Sequence, residues 1–453
     1  MVIHIEINYA ITKFPRASVV KSIVANKLTT AIKPEAADRP TWELYSTCIQ
    51  CGLCLNACPT YRVLGTEMDS PRGRIYQVLQ VDSGRLPVAE SFVTHIDRCL
   101  DCRGCETACP SGVQYGRIVE RARTLIEHEY RRPWLERKLR NYFYNSVLPD
   151  RRKLERWARR LRFLQNSGLQ KLARGTGILK LLGLAKVEKL APKFDEHFYF
   201  EEFGQAFPAI GETRGRVAFL AGCVASVAFA ELNRATVRVL QNNGVDVFVP
   251  REQGCCGALH AHAGFRDQAR ELARNNIRVM LDGKFDAIVT NAAGCGSTMK
   301  EYGDLLENDP EFSGRARDFA AKVKDVTEYL AKLGIKAPKQ KVTGRITYQD
   351  PCHLIHGQRV RSAPRQILKL LGADLVEMQH ADICCGSAGT YNVTQNELAM
   401  QILDQKMNSI KGVDPDTIVT ANVGCVLQLC AGVVRRGLKA EVKHVIELLD
   451  EAY

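Results

Sequence analysis

Eight of the seventeen cysteines repeat one spacing, Cys48-x2-Cys51-x2-Cys54-x3-Cys58-Pro59 and Cys99-x2-Cys102-x2-Cys105-x3-Cys109-Pro110. Three thiolates on so short a loop reach three corners of one [4Fe–4S] cube, while the fourth lies too far along the chain and serves the neighbouring cube. The spacing therefore predicts one cluster on Cys48, Cys51, Cys54 and Cys109, and a second on Cys99, Cys102, Cys105 and Cys58. Zinc knuckles would pair two Cys-x2-Cys units instead of doubling a four-cysteine run. One-electron transfer is the chemistry expected of this segment.

Eight more cysteines form an internal repeat. One copy runs from RVAFLAGC, ending at Cys223, through GCCG with Cys255 and Cys256, to NAAGC, ending at Cys295. The other runs from RITYQDPC, ending at Cys352, through ICCG with Cys384 and Cys385, to ANVGC, ending at Cys425. Thirty-one residues separate the first cysteine from the pair in both copies, and thirty-eight or thirty-nine follow before the last. Neighbouring cysteines are awkward for a single tetrahedral ion and suit a cluster that takes two thiolates on different iron atoms. All-thiolate or mixed thiolate–imidazole zinc remains an alternative, since His260, His262, His353 and His356 lie close by in sequence. A copy without metal is a third. Cys430 is left over and reads as a buried, apolar-like residue.

The elements that must hold these residues differ between the two halves. Ser70-Pro71 ahead of RGRIYQVLQ is a helix start, and GRIVERARTLIEHEY is helix-periodic, so the first half reads as mainly helical. In each repeat a short apolar strand (VAFLAG, ITYQD) meets the first cysteine. A second (VDVFVP, DLVEM) precedes the pair, and a third (DAIVTNAAGC, DTIVTANVGC) ends on the last. Strands alternating with helices make small parallel α/β units whose ligands gather at the carboxyl ends of the strands. The adjoining glycines are expected to let backbone approach a bulky inorganic ligand. The fold class is thus α+β multidomain: a mainly helical two-[4Fe–4S] ferredoxin-like domain followed by two repeated α/β cysteine-rich (CCG) domains. The expected boundaries are an N-terminal extension over 1–38, the cluster domain over 39–130, a basic amphipathic helical linker over 131–200, and CCG domains over 201–338 and 339–453.

Charge is concentrated in that linker. Between Arg131 and Leu190 there are seventeen Lys or Arg against four acids, an excess equal to the net +13 of the whole chain. Apolar residues recur at helical spacing there (Trp134, Leu135, Leu139; Leu154, Trp157, Leu161, Leu164), with breaks at Pro149, Gly168 and Gly175. Such helices suit docking on an anionic membrane surface or a protein partner. Interleaved Tyr142, Phe143, Tyr144 and Phe163 do not make a nucleic-acid site without a recognition fold. The longest apolar run, Val217–Ala230, is too short to span a bilayer. Many cysteines without an export signal point to a reducing compartment, the cytoplasm, with peripheral contact on the inner face of the cell membrane.

No nucleotide-binding glycine pattern or P-loop is present. Clusters carry one electron at a time, so a two-electron oxidation requires an organic cofactor on another chain. From about Thr41 to the end, the chain resembles the iron–sulfur subunits of bacterial glycolate oxidase. The likeness rests on CGLCLNACPTYRVLG, SPRGRIYQV, RCLDCRGCETACPSGVQYG, QGCCGA, ICCGSAGTY and TANVGC. The wider family includes subunits of heterodisulfide reductase, anaerobic glycerol-3-phosphate dehydrogenase and lactate-utilisation systems. The resemblance implies flavoprotein partner subunits carrying FAD that oxidise glycolate, with this chain passing electrons to a membrane acceptor such as quinone. It also implies that Cys223, Cys255, Cys256 and Cys295, and Cys352, Cys384, Cys385 and Cys425, are ligands. Heterodisulfide reductase repeats end in Cys-x2-Cys; here those positions are Thr298 and Gln428, which argues against direct disulfide reduction.

Overall fold

Ser70 starts its helix as the sequence predicts. Its hydroxyl accepts from Gly73 N at 3.0 Å, and Pro71 opens the helix Pro71–Asp82. Gly73 packs so tightly on the preceding turn that a Cβ would come within 1.9 Å of Glu67 O. This turn buries Asp69, whose carboxylate meets Arg74 at 3.3 Å, Arg98 at 3.1 Å and His95 Nδ1 at 3.0 Å. Burial pushes the carboxyl up, but His95 and Arg74 prevail and hold it below the usual range. Arg74 also reaches Thr60 Oγ1 at 3.1 Å, and Thr60 Oγ1 lies 3.2 Å from Cys58 Sγ. The SPRGR segment therefore buttresses the loop of the fourth cysteine. Removing one partner of such a buried ion pair costs about 3–5 kcal/mol. Helices Glu90–Asp97 and Tyr115–Glu129 complete this part around Ile75, Val78, Phe92, Ile96, Ile118, Val119, Ala122 and Ile126.

The computed structural model describes residues 38–177, 188 and 192–453. The expected extension over 1–38, apart from Asp38, lies outside the described residues, as does 178–187 of the linker. Pro40–Tyr453 folds as one unit.

In the second half, β1 (Ala206–Phe207), β2 (Gly215–Phe219), β3 (Val245–Phe248), β4 (Ala287–Thr290) and β5 (Val323–Asp325) form one sheet in the order β1-β3-β2-β4-β5. All its pairs are parallel except β1 with β3. A second, all-parallel sheet contains β6 (Arg345–Tyr348), β7 (Asp374–Leu375), β8 (Thr417–Thr420) and β9 (Glu441–His444) in the order β7-β6-β8-β9. The repeat read from the cysteines is thus a repeat of topology, β2-β3-β4-β5 matching β6-β7-β8-β9. Three strands were not read from sequence. β1 is two residues long, and β5 (VKD) and β9 (EVKH) are short and charged, as edge strands are.

Helix Ala230–Asn242 of the first copy packs on Val445–Glu451 of the second, and Val326–Leu333 packs on Ser362–Leu370. One core therefore runs through both copies, from Val217, Phe219 and Val289 to Ile346, Tyr348 and Val419.

The linker forms helices Trp134–Tyr142, Arg151–Asn166 and Leu169–Gly175. Asp150 caps the second, accepting from Lys153 N at 3.1 Å, and Gly168 (φ 76°) separates it from the third. In that second helix only Ala158 is buried, with Leu154 packed beside it on the shared core. Most of the periodic apolar face points outward: Trp134 is 68% exposed, Leu139 60% and Phe163 65%. Tyr144 goes the other way, stacked on Phe265 at 4.6 Å with its hydroxyl 3.0 Å from Thr390 Oγ1.

Candidate metal centres and their arrangement

The two Cys-x2-Cys loops fold alike at a cost in backbone strain. Gln50 (φ 58°) and Asp101 (φ 54°) occupy the left-handed region at matching positions, followed across a cysteine by Gly52 (φ 84°) and Arg103 (φ 60°). Non-glycine residues take this conformation mainly where surrounding structure imposes it, as at ligand clamps. The loops wrap two cavities. One is lined by Cys48, Cys51, Cys54, Cys105 and Cys109, the other by Cys58, Cys99, Cys102 and Cys105. The fourth cysteine of each run thus sits with the first three of the other, and Cys105 borders both. Asp101 N donates to Cys99 Sγ at 3.4 Å and Tyr115 Oη at 3.6 Å, the kind of contact that stabilises sulfur carrying negative charge. Burial pushes the Cys54 thiol up to about 11, and raises Cys102 and Cys105 as well. Holding these sulfurs as thiolates requires nearby cationic charge, which iron supplies. The donor set fits iron–sulfur cubes.

In the repeats, all eight cysteines lie just beyond parallel strands. Cys223 and Cys255 have their sulfurs 3.5 Å apart, and Cys352 and Cys384 3.8 Å apart. Cys256 and Cys295 are hydrogen-bonding neighbours in the first quartet, as Cys385 and Cys425 are in the second. None is in a disulfide. Each pair is followed by a left-handed glycine, Gly257 (φ 83°) and Gly386 (φ 92°). A Cβ there would come within 3.3 Å of Ala269 O and 2.6 Å of Ala399 O. These glycines are therefore needed for the turn against the following helix. Gly222 is the one that borders the sulfurs, 3.8 Å from Cys295 Sγ.

The two quartets differ in charge. Nineteen residues before the last cysteine, copy one has Asn276 and copy two has Lys406. Asn276 is fully buried and bonds Gly254 N and Cys255 O. Lys406 is 3% exposed and donates to His380 O at 2.6 Å and Ala381 O at 3.1 Å. Burial lowers its pKa, while Cys385 and Cys384 act in the opposite direction. Nothing in the sequence pattern marked Lys406, because its neighbours come from a loop twenty-five residues earlier. Thr298 and Gln428, at the positions that would carry a further thiol, are both buried.

The second cubane loop is gripped by both repeats. His353 Nε2 lies 2.9 Å from Asp101 O, His356 Nδ1 2.9 Å from Thr107 Oγ1, and Tyr391 Oη donates to Arg98 O at 3.0 Å. Cys102, Leu100, Cys384, Tyr391, Leu398 and Ile402 share one apolar cluster, with Cys352 packed against it. His260 bonds Tyr144 O at 2.7 Å. His262 Nδ1 lies 3.0 Å from both Glu120 Oε1 and Asp101 Oδ2, with hydrogen-bond geometry only to Glu120. The four histidines weighed as zinc ligands are thus engaged with other partners. Asp101, Glu120 and His262 have the mutual spacing of a metal site. However, Arg103 (3.3 Å) and Arg266 (3.2 Å) already pair with Glu120, so positive charge is supplied by the chain itself. Cys430 is exposed, contrary to the buried role expected of it. Five residues beyond Cys425 on one helix, it faces about 140° away.

The family model for a 4Fe-4S dicluster domain matches residues 45–113. A cysteine-rich domain model matches twice, over 217–300 and 346–430. The model for the linker region of the glycolate oxidase iron-sulfur subunit matches 135–191. The chain is 39% identical over 418 residues to the probable glycolate oxidase iron-sulfur subunit of Bacillus subtilis (strain 168), covering 89% of this chain and 93% of that protein. To the glycolate oxidase iron-sulfur subunit of Escherichia coli (strain K12) it is 34% identical over 438 residues, covering 94% and 98%. Lactate utilization protein A of Geobacillus kaustophilus (strain HTA426) is 30% identical over 237 residues, which is 52% of this chain and 98% of that protein.

Proposed function

The chain belongs to the family of glycolate oxidase iron–sulfur subunits, and on that premise we propose that it carries electrons from an FAD-bearing flavoprotein partner, which oxidises glycolate or a close 2-hydroxy acid, to a membrane quinone. Cys48, Cys51, Cys54 and Cys109 hold one [4Fe–4S] cluster, and Cys99, Cys102, Cys105 and Cys58 the other. Cys223, Cys255, Cys256 and Cys295, and Cys352, Cys384, Cys385 and Cys425, are the ligand sets of the two repeats. Bound there, iron–sulfur clusters supply one-electron carriage.

The observation that carries this reading is the continuity of the sulfurs. Cys105 borders both cubane cavities, and Cys102 shares an apolar cluster with Cys384 of the second repeat. The chain's own residues fix that continuity: Tyr391, His353 and His356 hold the backbone and side chains of the second loop against the repeat. Buried thiols at Thr298 and Gln428 would favour disulfide chemistry, and both positions lack them.

Attachment to the membrane falls to the linker. No described helix is long and apolar enough to cross a bilayer. Trp157 Nε1 donates to Tyr142 Oη at 3.3 Å, joining the exposed apolar faces of two basic helices into one surface. Arg152, Arg156, Arg159 and Arg160 are exposed around it, with Arg159 pairing with Glu155 at 2.6 Å and Arg160 over the Trp157 ring at 5.5 Å, while Arg151 packs on Phe200 and Phe203 at 5.1 and 4.9 Å. Four such arginines on anionic lipid contribute about 4 kcal/mol.

The test uses the assembled complex and anionic liposomes loaded with ubiquinone. Wild type is expected to sediment with them and reduce the quinone on addition of glycolate. With all four arginines changed to Gln, the complex should stay in the supernatant yet still reduce ferricyanide. Unchanged sedimentation removes the membrane role, and ferricyanide reduction without any quinone reduction by wild type removes the quinone.

A further inference from the structure

Between the cluster domain and the two repeats lies a cavity of about 580 Å³, within the roughly 300–1,000 Å³ of small-molecule sites. Cys99 and Leu100 line both it and the cavity of the second cubane, so one layer of residues separates the two. On another side the wall is formed by Pro133, Glu136 and Arg140, from the N-cap to the last turn of the helix Trp134–Tyr142. That same helix exposes Trp134, Leu135 and Leu139, the apolar surface assigned above to the bilayer. The floor of the cavity therefore adjoins an electron carrier and its rim adjoins the lipid-facing helix.

Several polar groups of the wall are committed elsewhere: Arg123 to the carbonyls of His262 and Cys99, Tyr391 to that of Arg98, and His262 Nδ1 to Glu120. His262 Nε2 has no hydrogen-bond partner among the described residues but is buried away from the solvent of the cavity, so protons can enter only at its mouth.

We propose that this cavity is the quinone site, with the headgroup against the Cys99–Leu100 wall and the isoprenoid tail leaving along the helix Trp134–Tyr142. The proposal rests on the functional reading above and locates its acceptor. Reduction converts both quinone C=O groups to C–OH and requires two electrons and two protons. The electrons arrive singly from iron–sulfur centres reduced by the flavoprotein. Both quinone oxygens take their protons from water at the cavity mouth.

A variant of the assembled complex tests this, with short-chain ubiquinone and ferricyanide as alternative acceptors. Thr394→Trp fills the cavity from an exposed wall position and should raise the quinone KM at least ten-fold while sparing ferricyanide. Independently of turnover, an azido-quinone should photolabel peptides containing Thr390–Gln395 or Tyr130–Arg140 in wild type and lose that labelling in Thr394→Trp. Wild-type quinone kinetics in Thr394→Trp, or labelling elsewhere, overturns the site while leaving quinone as acceptor. Ferricyanide reduction with no quinone reduction by wild type overturns both.

Discussion

Replacing Cys102 by Ser is expected to abolish electron delivery to quinone while leaving the partner's flavin fully reducible by substrate. Cys102 is 8% exposed and packs beside Cys384 and Cys352, so, as a proposed ligand of the second cubane, it stands at the junction between domain and repeat. A serine hydroxyl is a poor replacement for a soft thiolate. Iron content should drop by about four atoms per chain, and thermal stability should fall, because a metal-bound loop becomes a set of buried, unliganded polar groups. Stopped-flow flavin absorbance beside quinol formation reads both halves of the expectation. Slow flavin reduction would mean that this chain takes part in substrate oxidation, and surviving quinol formation would place the exit route ahead of the second cubane.

The second large effect is expected at Lys406. An ammonium beside the Cys384–Cys385 quartet stabilises added negative charge, so Lys406→Met should lower the midpoint potential of that centre. For a separation of ~6 Å and an effective dielectric of ~20, a unit charge contributes about 3 kcal/mol, or roughly 120 mV for one electron. Solvent screening is weak because the side chain is 3% exposed. Asn276→Lys, the reciprocal change in the first copy, should move its centre upward. Potentiometric titration followed by EPR distinguishes the two, and no shift in either variant would mean that the buried lysine only ties down the His380–Ala381 turn.

Much of this architecture is legible in the chain because cysteine spacing is local and strict. The exchange of Cys58 and Cys109 between the two loops follows from reach alone, and the structure groups those residues accordingly. Aligning the cysteines was enough to find two copies of one α/β topology, and Ser70-Pro71 was enough to start a helix. What escaped reading depends on contacts between distant segments. β5 and β9 carry too few apolar residues to register as strands, and their partners β4 and β8 lie far back in the chain. His262 looked like a possible ligand because Cys256 is near it in sequence; the fold instead gives it to Glu120 and Asp101. The crowding of the glycine after each cysteine pair by a helix backbone is likewise invisible in sequence, because Ala269 and Ala399 lie more than ten residues further on. The linker's helical periodicity was plain, but periodicity alone does not say whether a face meets protein or solvent. Only the fold turns Trp134, Leu139 and Phe163 outward.

The proposed electron path runs through the repeats as well as through the two cubanes. The most direct test is iron and sulfide content of the anaerobically purified chain, paired with low-temperature EPR. More than about eight irons per chain, with a signal beyond that of two interacting cubanes, is the predicted result. About eight irons with zinc, or with no further metal, would contradict it and leave the repeats as a scaffold around the first domain.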